Sequence, residues 1–184
     1  MQLVWPGAEH LPSYIAALRS GWSANSFDPA AATEELDLIG KNADAFLASQ
    51  IDREAKSGPI KLPDGTLAKR IPGFRRWLWD GEFCGLINFR WQPVTEELPP
   101  HVLGHIGYAV VPAKCKRGYA TQALAETLPL AKAEGLRYVE IITDPDNIAS
   151  RQTIEANGGV LHEQFLKPAQ YGSSPGLRYR IDLA

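Results

Sequence analysis

The chain has 184 residues, 45% hydrophobic and 22% charged, which is the composition of one ordinary globular domain and excludes two large ones. With 19 basic and 21 acidic residues the net charge is -2, which argues against a general nucleic-acid binder or a polybasic membrane adherent, so any anion site must be local. Cys84 and Cys115 spell out no disulfide framework, the N-terminus has neither a basic region nor a long apolar run, and no stretch nears the roughly 18 apolar residues of a membrane span. These features predict one soluble, cytoplasmic domain over 1–184, with a helical region over 1–70.

Leu11, Tyr14, Ile15, Leu18 and Trp22 follow helical spacing and predict a first helix. Asp28-Pro29 reads as a cap followed by proline at the first helical position, and Leu36, Ile39, Ala43, Phe46 and Ile51 continue one long amphipathic helix to Gly58-Pro59. Pro63-Asp64-Gly65 signals a turn. The period then changes to two, and Asp80-Gly81 joins two arms of a hairpin. In the second arm Gly85, Ile87, Phe89 and Trp91 share one face, while Cys84, Leu86, Asn88 and Arg90 share a face expected to meet polar surroundings.

His101 to Val111 reads as the next strand, followed by a helix from Gly118 to Glu134 that buries Leu124, Leu128 and Ala131 and contains Pro129. Tyr138 to Thr143 resembles a strand buried on both faces in a parallel pair, and Asn147 to Asn157 a short helix closed by Gly158-Gly159. Strands at Val160–Lys167 and Leu177–Leu183 finish the chain, the last with alternating apolar and charged residues. The predicted class is α+β, a mixed sheet with one parallel crossover between hairpins.

Function is expected at that crossover. From Val110 through Val111, Pro112, Ala113, Lys114, Cys115, Lys116 and Arg117 to Gly118, Tyr119, Ala120 and Thr121, a strand passes through a basic turn into a helix. The first amides of a helix have no internal partner and sit at its positive end, so they suit a phosphate, with Lys114, Lys116 and Arg117 adding charge. The same residues would also serve an ordinary helix start.

Cys115-Lys116-Arg117-Gly118-Tyr119-Ala120 resembles the acyl-CoA pyrophosphate loop of the GNAT superfamily of N-acetyltransferases, Gln/Arg-x-x-Gly-x-Gly/Ala after a strand. The strand Tyr138–Thr143, the run Asn147-Ile148-Ala149-Ser150 and the closing Gly158-Gly159 resemble the same superfamily in the same order, over residues 83–167. Asp144 to Ser150 is most similar to the branch that acetylates ribosomal-protein N-termini. The resemblance implies a GNAT-like fold with helices on both faces and a splay between Ala109–Val111 and Tyr138–Thr143, into which the pantetheine of acetyl-CoA fits like an added strand. Val110 and Val111 would offer backbone groups to it, and the amides of residues 116–121 would hold the pyrophosphate, with a hydroxyl from Thr121. Asn147 would bind the pantetheine or the splayed backbone, a role that competes with capping the helix.

Two positions depart from the pattern. Cys115 replaces the usual glutamine or arginine and is read as a passive substitution, although a thiol beside lysines and a helix N-terminus is placed for some reactivity. Ile154 stands where many members carry the tyrosine that protonates the departing thiolate, so the resemblance nominates Ser150 as donor, with helix capping as its rival role. His105 and Glu140 are candidate bases, with His101 behind them, and each would equally suit a structural role. His101 and His105 do not suggest a metal pair, because four residues of strand span about 13 Å. Trp77, Trp79 and Trp91 are read as packing residues.

The expected activity is acetyl transfer from acetyl-CoA, as co-substrate, to an amine acceptor by direct attack, without a metal. A protein N-terminus or a small amine would be the acceptor, in a pocket bounded by Asn88, Arg90 and the N-terminal helices, with neither nucleic acid nor membrane as partner. The alternative is a non-catalytic CoA-binding sensor or scaffold. A nucleotide-binding domain unrelated to CoA lacks both a P-loop ending and the three-glycine Rossmann turn. A homodimer is expected on general grounds alone: the last strand could pair with a second subunit, or Arg178 and Arg180 could guard it.

Overall fold

The computed structural model describes residues 1–25, 28, 30–62 and 64–183, so the proline of the proposed Asp28-Pro29 cap and Pro63 of the proposed turn lie outside the described residues. The elements are β1 (Gln2–Val4), α1 (Leu11–Arg19), α2 (Ala31–Lys41), α3 (Ala43–Ser49), β2 (Ile51–Asp52), β3 (Ile60–Lys61), β4 (Leu67–Ala68), β5 (Gly73–Trp79), β6 (Phe83–Arg90), β7 (Ile106–Val110), α4 (Tyr119–Ala133), β8 (Tyr138–Thr143), α5 (Ile148–Glu155), β9 (Val160–Leu166) and β10 (Pro175–Asp182). An antiparallel sheet runs β1-β5-β6-β7, with β2 also on β5, and a second runs β8-β10-β9. The class is the expected α+β, with β7-α4-β8 as the crossover between the sheets.

Several boundaries differ from the sequence reading for local reasons. The single long helix after residue 30 is two helices, because Asn42 is extended (φ -163°, ψ 97°) and its side chain accepts from Ala45 N–H at 2.9 Å, capping α3. The region before residue 70 is also not purely helical: β1 pairs with β5 along the edge of the main sheet. The strand expected from His101 begins at Ile106, and Gly104 packs so closely on β8 that an added Cβ would lie 2.9 Å from Glu140 O. β8 is not in a hydrogen-bonded parallel pair: it runs antiparallel to β10 and buries alternate residues. The last strand, β10, lies between β8 and β9, so it is not the sheet edge; Arg178 and Arg180 ion-pair with Glu140, and Arg178 also with Glu163.

Both faces of β6 are covered, which corrects the expected polar face. Trp79 pairs with Phe83 while Leu78 pairs with Gly85, so Cys84 is an extra bulged residue and turns to the side of Ile87 and Phe89. That side packs against α4, α5 and β8 through Leu124, Ala131, Val139, Ile141 and Ile154. The other side carries Phe83, Leu86 and Trp77 beneath α1 to α3, where Tyr14 stacks on Trp77 (4.4 Å between ring centroids) and lies against Phe46 (5.9 Å). Trp77 and Trp91 are thus packing residues.

Gly85 makes the bulge possible. Its φ is +148°, and a Cβ would lie 2.3 Å from the backbone oxygen of Ala109. Gly85→Ala should cost about 3 kcal/mol, combining backbone strain with a clash that no side-chain motion can relieve. Chemical denaturation would measure it; a loss under about 1 kcal/mol would show that the bulge rearranges freely.

Candidate active site

β7 and β8 form a fork. They meet where His105 N–H donates to Glu140 O (2.7 Å) and Glu140 N–H donates to His105 Nδ1 (2.9 Å), and beyond that point no ladder connects them among the described residues. Arg90 N–H donates to His105 O, and Val111 N–H to Cys84 O, both at 2.9 Å. Antiparallel pairs alternate, so the carbonyl of His105 and the backbone groups of residues 107, 109 and 111 face β6, and those of Ile106, Tyr108 and Val110 face the fork. Val111, expected to offer backbone groups to a cofactor, is therefore committed to β6, and Val110 is the residue so placed. The indole of Trp22 already donates to Val110 O at 3.4 Å.

Past β7 the chain enters the loop expected to cradle an anion. Lys116 (φ 61°) and Gly118 (φ 74°) adopt left-handed conformations that swing the backbone into α4, whose first internal bond is Gln122 N–H to Gly118 O at 3.0 Å. The amides of Tyr119, Ala120 and Thr121 precede that bond and are the orphan donors of the first turn. Lys116, Arg117 and Cys115 are exposed around them; the Cys115 Sγ lies 3.7 Å from Val111 O.

Lys114 is not free to add charge to this cradle. Its ammonium bonds both carboxylate oxygens of Asp80 at 3.0 Å and pairs with Glu82 at 2.6 Å, while the Tyr119 hydroxyl donates to Asp80 at 2.7 Å. Asp80, in the hairpin turn, thereby ties the loop from both ends. The Tyr119 and Lys114 bonds hold its carboxyl well below the usual carboxylate range.

At the mouth of the fork, Asn147 caps α5 by accepting from Ser150 N–H at 3.1 Å. Ser150 Oγ lies 2.9 Å from the hydroxyl of Tyr108, which also donates to Ser150 O at 3.2 Å. Burial pushes the Tyr108 phenol up to about 12, so it keeps its proton at neutral pH. Sequence reasoning missed Tyr108. The signal was there: residues 106, 108 and 110 must share a face, and in a crossover that face meets the second helix.

The two expected bases are placed differently. His105 is fully buried, its Nδ1 lone pair is taken by Glu140 N–H, and burial pushes its pKa down to about 4. The Glu140 carboxylate is held by Arg180 (2.9 Å) and Arg178 (3.5 Å). His101 meets Lys69 O at 2.9 Å, so the two histidines are separately engaged, and among the described residues no cluster of three metal-ligating side chains occurs. Ile154 is buried in the core against Gly159.

Ile106, Tyr108, Ile141, Thr143, Asn147 and Ser150 border one cavity of about 520 Å3, which continues past Gly104 and Gly107 to Asn88, Arg90 and Arg75. The Thr143 hydroxyl is buried there without a hydrogen-bond partner. Open backbone edges, an orphan hydroxyl and, after β7, a helix start with exposed amides suit a long ligand with a polar linker and a phosphate end.

Residues 3–160 match the family model described as the acetyltransferase (GNAT) domain. The chain belongs to the GNAT acetyltransferases. No curated protein sequence matches it. Among solved structures, the microcin C7 self-immunity acetyltransferase MccE, in complex with acetyl-CoA and AMP, is similar at 13% identity and a TM-score of 0.65, covering 98% of this chain and 91% of that one. The ribosomal L7/L12 α-N-protein acetyltransferase RimL, in complex with coenzyme A, is similar at 15% identity and a TM-score of 0.65, covering 98% and 93%. A probable acetyltransferase aligns at 21% identity and a TM-score of 0.51 over 60% of this chain, which spans 62% of that one. At these identities the likeness is one of fold, and the GNAT fold is the one described above. Within it, no described helix is long and apolar enough to cross a membrane.

Proposed function

We propose that this GNAT chain transfers the acetyl group of acetyl-CoA to a primary amine within a ternary complex, without a covalent enzyme intermediate. The observation that carries the reading is the fork: two strand edges pinned at His105 and Glu140, opening toward the first-turn amides of α4. Bound there, acetyl-CoA would supply an activated acyl carbon that gains the amine nitrogen as its C–S bond breaks. Val110 and Tyr108 present backbone groups along its path, the amides of residues 116–121 hold the pyrophosphate, and Thr121 and Thr143 offer hydroxyls.

The proton balance assigns roles to this chain's own groups. The amine enters neutral, having lost its ammonium proton to solvent, and sheds one further proton to solvent water as the amide forms, from which Tyr108 regains the proton it passes to Ser150. Sulfur leaves as thiolate and takes a proton from Ser150, which Tyr108 resupplies across the 2.9 Å bond. His105 and Glu140 act on the fork's geometry and are not assigned as bases, since one is buried with its lone pair occupied and the other is paired with two arginines. The likeness to RimL favours a protein N-terminus as acceptor, with small amines as the other class.

Calorimetric titration with acetyl-CoA, with ATP as a polyphosphate control lacking pantetheine, tests the cofactor half. Micromolar binding of acetyl-CoA, about -8 kcal/mol, with ATP much weaker is the expected result. Equal binding of ATP, or none of either, would overturn the reading. Acetyl-CoA binding without thiol release from a broad amine panel would make the chain a CoA-binding sensor or scaffold.

A further inference from the structure

Beyond the fork, the cavity reaches a stretch of sheet at the margin of the N-terminal helices, where Glu35 of α2 also borders it. Register aligns Trp77, Leu86 and Ala109 in one row across β5, β6 and β7, and Arg75, Asn88 and Gly107 in the next on the same face. The first row lies beneath the aromatic cluster of α1 to α3, whereas the second borders the cavity. Arg90 follows at the end of β6, opposite Gly73.

The charges along this stretch are unequally met. Arg75 pairs with Glu35 at 3.0 Å. The half-buried Arg90 donates Nε to Gly104 O at 2.9 Å, and no ion pair joins it to any carboxylate among the described residues. Beside it, Asn88 Oδ1 is buried without a hydrogen-bond partner. Gly107 lets both side chains lie over β7: a Cβ there would stand 3.2 Å from Asn88 Oδ1 and 3.3 Å from Arg90 Nη2. A cation lacking a counter-charge and an acceptor lacking a donor therefore converge over a position with no side chain. A second cavity, of about 350 Å3, abuts the first along Arg75, Asn88 and Arg90, so there is room beyond the row for the rest of a ligand.

Such a pair is costly unless a ligand completes it. A half-buried guanidinium regains its lost solvation from a carboxylate, which matches its fork of donors, and an orphan amide oxygen regains its bond from an N–H. We propose that Arg90 and Asn88 form the acceptor subsite, and that the acceptor is an amine carrying a carboxylate a few bonds from its nitrogen, the carboxylate on Arg90 and the N–H on Asn88. The inference rests on the acetyl-transfer reading and names its substrate class. A second positive charge on the acceptor would meet the Arg90 guanidinium, so polyamines suit this subsite poorly. Two sources supply this chemistry: a free amino acid, or a peptide whose first residue is acidic.

The test compares matched acceptors on the unmodified protein, by acetyl-CoA-dependent thiol release. Alanine against alaninamide is the free amino-acid arm, and Asp-Ala-Ala-amide against Asn-Ala-Ala-amide is the peptide arm. A preference of tenfold or more in kcat/KM for the acid in either arm is expected and identifies the source. Ratios near one in both arms, with turnover measurable, overturn the inference and leave acetyl transfer standing. Absence of thiol release with every amine overturns acetyl transfer itself. Arg90→Gln should reduce the acid-to-amide ratio in kcat/KM to near one, and Arg90→Lys should restore part of it. Calorimetry gives a readout independent of turnover: N-acetylalanine should bind the unmodified protein at least fivefold more tightly than N-acetylalaninamide, and equal affinities count against the subsite.

Discussion

Replacing Ser150 with alanine should lower kcat about a hundredfold while leaving acetyl-CoA affinity within about twofold, the pattern of a group that acts only in the transition state. The Ser150 hydroxyl is the side-chain donor placed at the fork's mouth, and behind it stands a buried phenol that keeps its proton. Tyr108→Phe should lower kcat less, about tenfold, because Ser150 remains but loses its proton supply. The double variant should be no slower than Ser150→Ala alone, since two groups on one proton path do not contribute independently. Multiplying effects, about a thousandfold in the double variant, would show that Tyr108 acts elsewhere. An unchanged rate in Ser150→Ala would remove it from the mechanism and leave helix α5 as its only role. Because the Tyr108 phenol is pushed up to about 12, its ionisation should leave no mark on kcat between pH 6 and 10.

How much of this site is readable from sequence depends on whether the determining interaction is local. The loop proposed to hold the pyrophosphate is local: a glycine at a left-handed helix start and a basic turn are adjacent in the chain, and the helix begins where the spacing predicts. The hairpin at Asp80-Gly81 is equally local. The commitment of Lys114 to Asp80 is not, because it joins residues 34 positions apart, so a lysine read as phosphate-binding is in fact a tether. The choice between Val110 and Val111 turned on parity: one bulge and the register of β6 against β7 decide which residue faces the fork, and no composition rule reports register. The identity of the sheet edge failed for a similar reason, since β10 pairs on both sides and only the order of strands in space reveals it. Asn42, by contrast, was a readable helix cap overshadowed by an unbroken hydrophobic period.

His105 leads to the other large effect, on stability. Its imidazole is fully buried and accepts from Glu140 N–H, so the fold requires the neutral ring, and its pKa is pushed down from about 6.5 to about 4, chiefly by burial. The unfolded chain then binds the proton more readily than the folded one. The stabilisation is complete above pH 6.5 and is lost as pH falls from 6.5 toward 4, by about 3 kcal/mol. Protonation also turns Nδ1 into a donor facing the Glu140 N–H donor, so the loss falls on the bond that pins the fork. Denaturant unfolding at pH 7.0, 5.5 and 4.5 should show this slope in the unmodified protein. His105→Gln, whose amide oxygen can still accept from Glu140 N–H, should be less stable at pH 7 because the packing is imperfect, yet should show a flatter dependence in the same window. Parallel slopes in the two proteins would mean that carboxylates elsewhere set the acid sensitivity and that His105 titrates as it does in water. Acetyl-CoA affinity should follow the same curve, falling below pH 5.5 in the unmodified protein before the fold is lost, because in the proposed complex the pantetheine lies between two edges that keep their spacing only while the pinned end stays closed.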